Sequence, residues 1–281
     1  MGQNITLPGG SRIALGNASD TVTIYGDGTV KGGQGSDDVS IQGGGHVRLG
    51  SGNDTVTIDD RGHVRLGNGN DSVSIGGNGV IKVGSGEDTL SLGGSGRIWT
   101  GHGHDTITLG SGNDTVYADG QATVTGAFGS ANLSGGAAFA VHQNGGTTKL
   151  IDEGTGHETM VGGSGPTEFM SKGGGTVKMV GGSGADTFQA GAGHETMVAG
   201  TGSNLFEFGK IAGDSNVVIQ NFISGSADKL FLDGHTLNYL ETHGDIKYSG
   251  GNTYISLNGG HTTITLVGVS SLSSTDVVTH R

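Results

Sequence analysis

Apolar and polar residues alternate in short bursts that return every 17 positions. Val22 and Ile24, Val39 and Ile41, Val56 and Ile58, Val73 and Ile75, Leu90 and Leu92, and Ile107 and Leu109 each alternate with Thr, Ser or Asp. A four-residue alternation is the period of a half-buried strand. A second, shorter alternation follows the glycines at 28, 45, 62, 79 and 96, with Val30, Val47, Val64, Ile81 and Ile98 as its apolar members. Two short strands and two Gly-rich turns per 17 residues describe one coil of a flattened, two-sided parallel β-solenoid. Its inward Val, Ile and Leu stack as ladders from coil to coil. No stripe of 3.6-residue period occurs, and β-branched residues and Gly dominate, so helix is excluded.

The repeat also divides the chain. Asn4-Ile5-Thr6-Leu7 aligns one unit earlier with Thr21-Val22-Thr23-Ile24, so the first coil begins almost at once. The 17-residue rhythm holds over residues 1–118 and changes after Asp105, because Asp114 follows nine residues later. Residues 119–208 are expected to continue the solenoid in degenerate form. Units of about nine resume there as GTGHETMVG, GGSGADTFQAG, GAGHETMVAG and GTGSNLFEF. Residues 209–281 carry longer apolar alternations and more aromatics, and are expected to form a C-terminal β cap. The fold class is thus all-β, a parallel solenoid of about 17–18 residues per coil.

Composition narrows the function. The 281 residues include 61 Gly, 2 Pro and no Cys, so there is neither a disulfide framework nor a thiolate metal site. No apolar run is long enough to span a bilayer, and Met1 to Leu7 lacks the basic-then-apolar pattern of a cleaved leader. A net charge of −12 argues against a nucleic-acid partner.

Chemistry concentrates in one column. Asp20, Asp37, Asp54, Asp71, Asp88 and Asp105 recur at the same position of successive units. Solenoid coils lie about 4.8 Å apart. At that spacing, and an effective dielectric of 20, neighbouring carboxylates repel by roughly 3.5 kcal/mol. Such a column calls for cations, and carboxylates beside Gly-rich carbonyls make a hard-oxygen set of the kind calcium takes. A lone Asp here would be read as an Asx-turn. Six in register are not read so.

These residues resemble the RTX nonapeptide repeat G-G-x-G-x-D-x-U-x, the motif of the calcium-binding parallel β-roll. The copies GSGNDTVTI, GNGNDSVSI, GSGEDTLSL and GHGHDTITL carry the likeness. The segment NVVIQNFISGSADKLFLDG resembles the C-terminal cap of RTX proteins exported by type I secretion. The resemblance implies a Gram-negative, extracellular or cell-surface protein with no cleaved signal peptide. It also implies calcium between loops of adjacent coils, held by Asp carboxylates and loop carbonyls. The candidate ligands are Asp20; Gly33, Gly35 and Asp37; Gly50, Ser51, Gly52 and Asp54; Gly67, Asn68, Gly69 and Asp71; Gly84, Ser85, Gly86 and Asp88; Gly101, His102, Gly103 and Asp105; and Asp114. The chain departs from the family on its second edge (YGDG, QGGG, DDRG, GGNG, GGSG), which is one residue shorter and lacks Asp at the calcium position. Several ions are therefore expected, mainly along one edge of the N-terminal half. Farther on, Glu158, Glu195, Asn204 and Thr167 replace Asp, and Asp186 alone keeps the motif.

Two surface arrays remain. Thr55, Thr57, Ser72, Ser74, Thr89, Ser91, Thr106 and Thr108 should form outward hydroxyl ladders, either a solvated face or a grid for ice or a crystalline polysaccharide. On the opposite face Lys31, Arg48, Arg65 and Lys82 line up beside His46 and His63. That stripe could hold an acidic polysaccharide, or could solvate the face and block lateral association. His157-Glu158 and His194-Glu195 lack the second His of a zinc protease motif, and no GxSxG occurs. No enzyme activity is expected. The leading expectation is a secreted structural protein of a matrix, surface layer or filament, assembling as a homo-oligomer through its uncapped first coil. The alternatives are a polysaccharide- or ice-binding module, or the C-terminal part of a larger adhesin or enzyme.

Overall fold

The computed structural model describes residues 1–126, 130–135, 139–143, 147–152, 157–209, 214–225 and 227–280, with strand placement alone for 130–135, 139–143 and Glu158. Parts of the degenerate continuation expected over 119–208 therefore lie outside the described residues. The chain forms two compact units, Met1–Leu133 and Ser134–Arg281. Both are parallel β-solenoid.

In the first unit, strands alternate between two sheets. The first sheet runs through Asn4–Pro8, Thr21–Tyr25, Asp38–Ile41, Thr55–Ile58, Ser72–Ile75, Thr89–Leu92, His104–Leu109 and Gln121–Gly126. The second runs through Ser11–Ala14, Gly28–Lys31, Gly45–Arg48, Gly62–Arg65, Gly79–Lys82, Gly96–Thr100 and Asn113–Ala118. Every pairing is parallel and in register by the repeat: Val39 lies opposite Val22 and Val56, and Val47 opposite Val30 and Val64. The expected inward residues are buried, from Val22 and Ile24 to Ile107 and Leu109 in one sheet and from Val30 to Ile98 in the other. The sheets approach closely because the second-sheet strands open on glycine. A β-carbon on Gly45 would lie 2.8 Å and 2.9 Å from the Cδ1 atoms of Ile41 and Ile58.

The second unit uses larger side chains at a less even spacing. Its first sheet contains Phe139–Gln143, His157–Val161, Thr176–Val180, Gly193–Val198, Ser215–Gln220 and Thr262–Leu266 in parallel. It ends on an antiparallel pair, Asn252–Leu257 and Ile246–Ser249. The second sheet runs Thr147–Asp152, Thr167–Ser171, Thr187–Gln189, Leu205–Phe208, Lys229–Leu232 and Val277–Val278. Phe169, Phe188 and Phe206 stack face to face with centroids 4.8 Å apart, one ring per coil.

The parallel ladders continue into residues 209–281: Ser215–Gln220 pairs parallel with Gly193–Val198, and Lys229–Leu232 with Leu205–Phe208. One feature departs from the sequence reading, which excluded helix. Helix is present as one short segment, Leu237–His243. Leu237 and Leu240, three apart, bury its inner side, Thr236 caps the Tyr239 N–H, and Gly244 closes it at φ +78°. The local TLNYLETHG pattern was hidden among β-rich surroundings.

Candidate metal centre

Each 17-residue coil turns from the second sheet into the first through a six-residue loop ending in Asp. Gly35, Gly52, Gly69, Gly86 and Gly103 pass through φ between +144° and +157°. Their Cα atoms press on the coil before, so that a β-carbon on Gly69 would overlap the Gly52 carbonyl. The loops stack by hydrogen bonds along the axis. The carbonyls of Gly33, Gly50, Gly67 and Gly84 accept the N–H of the glycine one coil on, at 2.8–3.0 Å. Those of Ser51, Asn68, Ser85 and His102 accept from Gly35, Gly52, Gly69 and Gly86 at 3.0 Å.

The aspartates stack in the same sense. Asp20, Asp37, Asp54, Asp71, Asp88 and Asp105 form one column, and all are at most 3% exposed. One oxygen of each carboxylate, Oδ1, accepts the backbone N–H of the coil before. Asp37 holds Asp20 N, Asp54 holds Asp37 N, and Asp71 holds Asp54 N, each at 2.9 Å; Asp88 and Asp105 continue the series, and Asp20 holds Gln3 N. These bonds run from coil to coil, 17 residues apart, so none of them is an Asx-turn within the loop, and each engages one oxygen of its carboxylate. The other oxygen, Oδ2, is buried without a hydrogen-bond partner in Asp37, Asp54, Asp71, Asp88 and Asp105. In Asp37 it faces the first position of its own loop, where a β-carbon on Gly32 would lie 2.7 Å away. In later coils that position is Leu49, Leu66 or Val83, all buried. An inward apolar residue there replaces the first motif glycine, a departure the sequence reading missed.

Electrostatics follow from this burial. Desolvation is the largest influence on each carboxyl, and it pushes Asp71 up to about 7 and Asp54 and Asp88 to about 6. The backbone N–H bonds oppose the rise, while neighbouring aspartates add to it. Asp37 and Asp105 are raised for the same leading reason. A buried anion that lacks a donor on one oxygen is stable only when protonated or when paired with a cation.

Asp114 stands apart from the column. It lies opposite Gly96 at the other edge, where its Oδ1 accepts Gly96 N at 2.9 Å; its Oδ2 is also buried without a partner, and its pKa rises to about 6 through burial. The nine-residue step after Asp105 moves the motif from one edge to the other, and Ala122 follows Asp105 in the first column.

In the second unit the second edge carries a different column: Thr167, Asp186, Asn204 and Asp228. Here both carboxylate oxygens are satisfied. Asp186 accepts Thr167 N at 2.8 Å and Gly182 N at 2.9 Å. Asp228 accepts Asn204 N and Nδ2 on one oxygen and Ile223 N on the other. Asp228 was not singled out from sequence, although Asp228-Lys229-Leu230-Phe231-Leu232 repeats the pattern of Asp54-Thr55-Val56-Thr57-Ile58. Asp228 stands 24 positions after Asn204, which breaks the spacing. Glu195 lies at an inward position between Val177 and Val217 of adjacent coils, and burial pushes it up to about 7.

The donor set of the first column suits a hard cation. Its carboxylates repeat at about 4.8 Å, twice a calcium–oxygen bond of about 2.4 Å. The hydrogen-bonded loop carbonyls keep a second lone pair. Among the described residues no three His, Cys, Asp or Glu side chains gather into a metal cluster, so carbonyl oxygens would have to complete any coordination sphere. Among the described residues, no helix is long and apolar enough to cross a membrane.

Comparison with protein families gives a match to part of the chain. The model of the RTX calcium-binding nonapeptide repeat (4 copies) aligns with residues 91–123 and 178–206. No curated protein matches the chain.

Proposed function

The chain carries RTX calcium-binding repeats on a parallel β-roll, and from that premise we propose that it is a secreted, non-enzymatic structural protein whose first unit is folded by calcium. The observation that carries this reading is the row of buried, unpartnered Oδ2 atoms on Asp37, Asp54, Asp71, Asp88 and Asp105. Calcium would supply the positive charge that lets these carboxylates stay ionised inside the loop stack. The chain's own groups do the positioning. Each Oδ1 is tied to the preceding coil's N–H, which fixes the carboxyl plane. The carbonyls of Gly33, Gly50, Ser51, Gly67, Asn68, Gly84 and Ser85 offer their second lone pairs in the same loops, with His102 in the last. Asp114 offers one further carboxylate at the other edge.

Calcium near the millimolar range outside cells would favour the folded roll, and the low cytoplasmic level would leave the unit unfolded and fit for export. RTX repeats are typical of secreted proteins. Type I secretion through a signal in the last part of residues 209–281 accords with this. Assembly into a matrix, surface layer or filament belongs to the same proposal. Ile5, Leu7 and Ile13 are half-buried where Val22, Ile24 and Val30 are fully buried, and a coil of a second copy laid against them would complete their burial.

Titrating calcium into EDTA-treated protein, with circular dichroism, light scattering and electron microscopy recorded together, tests both parts. Strand formation that tracks calcium, with filaments or sheets growing, is the expected result. A strand signal indifferent to calcium at pH 8 would overturn the metal reading; folding to a monodisperse monomer would overturn assembly.

A further inference from the structure

The outer face of the second sheet in the first unit gathers cations and no acids. From Ser11–Ala14 to Asn113–Ala118 its strands turn two rows of side chains outward, and none of those positions is Asp or Glu. The chain as a whole carries 26 Asp and Glu against 14 Lys and Arg. The acids of the same coils, Asp27, Asp59 and Asp60, lie in the turns at one edge. In one row Lys31, Arg48, Arg65 and Lys82 follow in strict register, one per coil, and Trp99 and Tyr117 continue it. Arg12 opens the neighbouring row and Arg97 stands near its other end. These six cations are exposed, and among the described residues none of them forms an ion pair. Trp99 is half-buried and Tyr117 exposed, and their rings stack on each other, centroids 5.4 Å apart and 15° from parallel.

We propose that this face docks on the phosphate-bearing surface of an anionic lipid bilayer, with Trp99 and Tyr117 seated among the headgroups. The inference rests on register, charge and ring packing in this sheet alone, and stands whether or not the Asp column holds calcium. Cations about 4.8 Å apart lie within one Debye length of about 8 Å, so their fields add rather than act singly. A field of one sign on an otherwise acidic protein selects an anionic partner. The two rings select its class. Single-stranded nucleic acid is held by aromatic faces on which its bases stack. Here Trp99 and Tyr117 turn one face each on the other, with no gap between them for a further ring. Side chains stand roughly perpendicular to a sheet, so the pair directs its edges outward. Amphipathic rings so presented suit the headgroup level of a membrane, where Trp and Tyr concentrate. The cation spacing agrees. A DNA strand advances about 3.4 Å per phosphate and falls out of step with a ladder of about 4.8 Å. Lipid headgroups move freely in their plane and meet either spacing without strain.

Vesicles of equal parts phosphatidylglycerol and phosphatidylcholine, against phosphatidylcholine alone, test this with the full-length protein at one fixed calcium concentration. Binding is read by co-sedimentation and by the emission of Trp99, the chain's single Trp. The expected result is retention on the anionic vesicles alone, weakening with salt, with the emission moving to shorter wavelength. Each Lys or Arg near an anionic surface contributes about fivefold, so Arg48→Ser with Arg65→Ser should bind at least tenfold more weakly. Both residues are exposed, so the circular dichroism of that variant should match the parent; Lys31→Ser with Lys82→Ser serves if it does not. Calcium bridging lipid to other carboxylates would act equally on parent and variants. Trp99→Ala, followed by co-sedimentation, should bind several-fold more weakly with its salt dependence unchanged. Inorganic phosphate equal to the lipid phosphate should leave the protein bound. Equal or absent retention on the two vesicle types would overturn the proposal, as would retention with unmoved Trp99 emission or undiminished binding by both double variants. A deoxythymidine oligomer of matched phosphate content that strips the protein from the vesicles would overturn it in favour of a nucleic-acid face.

Discussion

At the scale of single residues the loop glycines do different work. Gly69 sits at φ +145°, and its Cα lies against the Gly52 carbonyl of the coil before. Gly10 also has positive φ, +81°, but no atom would crowd a β-carbon there. Gly10→Ala should therefore cost about 1–2 kcal/mol, the price of left-handed backbone alone. Gly69→Ala adds a collision with backbone on top of the strain and has no flexible side chain to push aside. It should cost more than about 3 kcal/mol. Urea denaturation of both variants in saturating calcium compares them, and equal losses would mean that the loops are not in axial contact.

At the scale of the element, the loop and its strand form one unit whose polar end depends on charge. Asp71→Asn keeps an oxygen for the Asp54 N–H and removes the anion. Asn204 already fills such a position in the second unit, where its amide donates to the Gly202 carbonyl and to Asp228. In EDTA at pH 8, Asp71→Asn should therefore raise the melting temperature, and in calcium it should lower the gain that calcium brings. A variant less stable than the parent under both conditions would show that the carboxylate is neutral or otherwise paired. Much of this element was legible beforehand. The alternation at Val56 and Ile58, the Gly at 50 and 52 and the Asp at 54 set the strand, the loop and the column, because a strict period leaves only one register. Where the period breaks, legibility ends. Asp114 changes edge after a nine-residue step, and Asp228 rejoins a column across 24 residues that no spacing rule reveals. Leu49, Leu66 and Val83 stand where the motif has its first glycine, and they are buried beside a column of buried carboxylates, a pairing that the motif alone does not reveal.

At the scale of the molecule, the two units differ in how their carboxylates are satisfied, and pH should separate them. In calcium-free protein, Asp54, Asp71, Asp88 and Asp114 have folded pKa values of about 6 to 7, above an ordinary value of 3.8. Between those limits the folded state holds more protons than the unfolded one. Stability from these groups is thus complete below about pH 4 and is lost as pH rises through 6 to 7. Calcium held at this column would reverse the slope, because a metal ion takes carboxylates in their ionised form. The second unit has fewer such groups. Glu195 rises to about 7, and Asp186 is raised by burial, but backbone N–H groups hold both Asp186 oxygens and both of Asp228. Hydrogen exchange read by mass spectrometry in EDTA at pH 8 should therefore find residues 21–109 open while residues 167–232 stay protected. At pH 5, still without calcium, protection of residues 21–109 should return. Added calcium at pH 8 should restore it as well, with release of protons. Simultaneous loss of protection in both units would mean that the column of Asp37 to Asp105 is not what makes the roll depend on a cation.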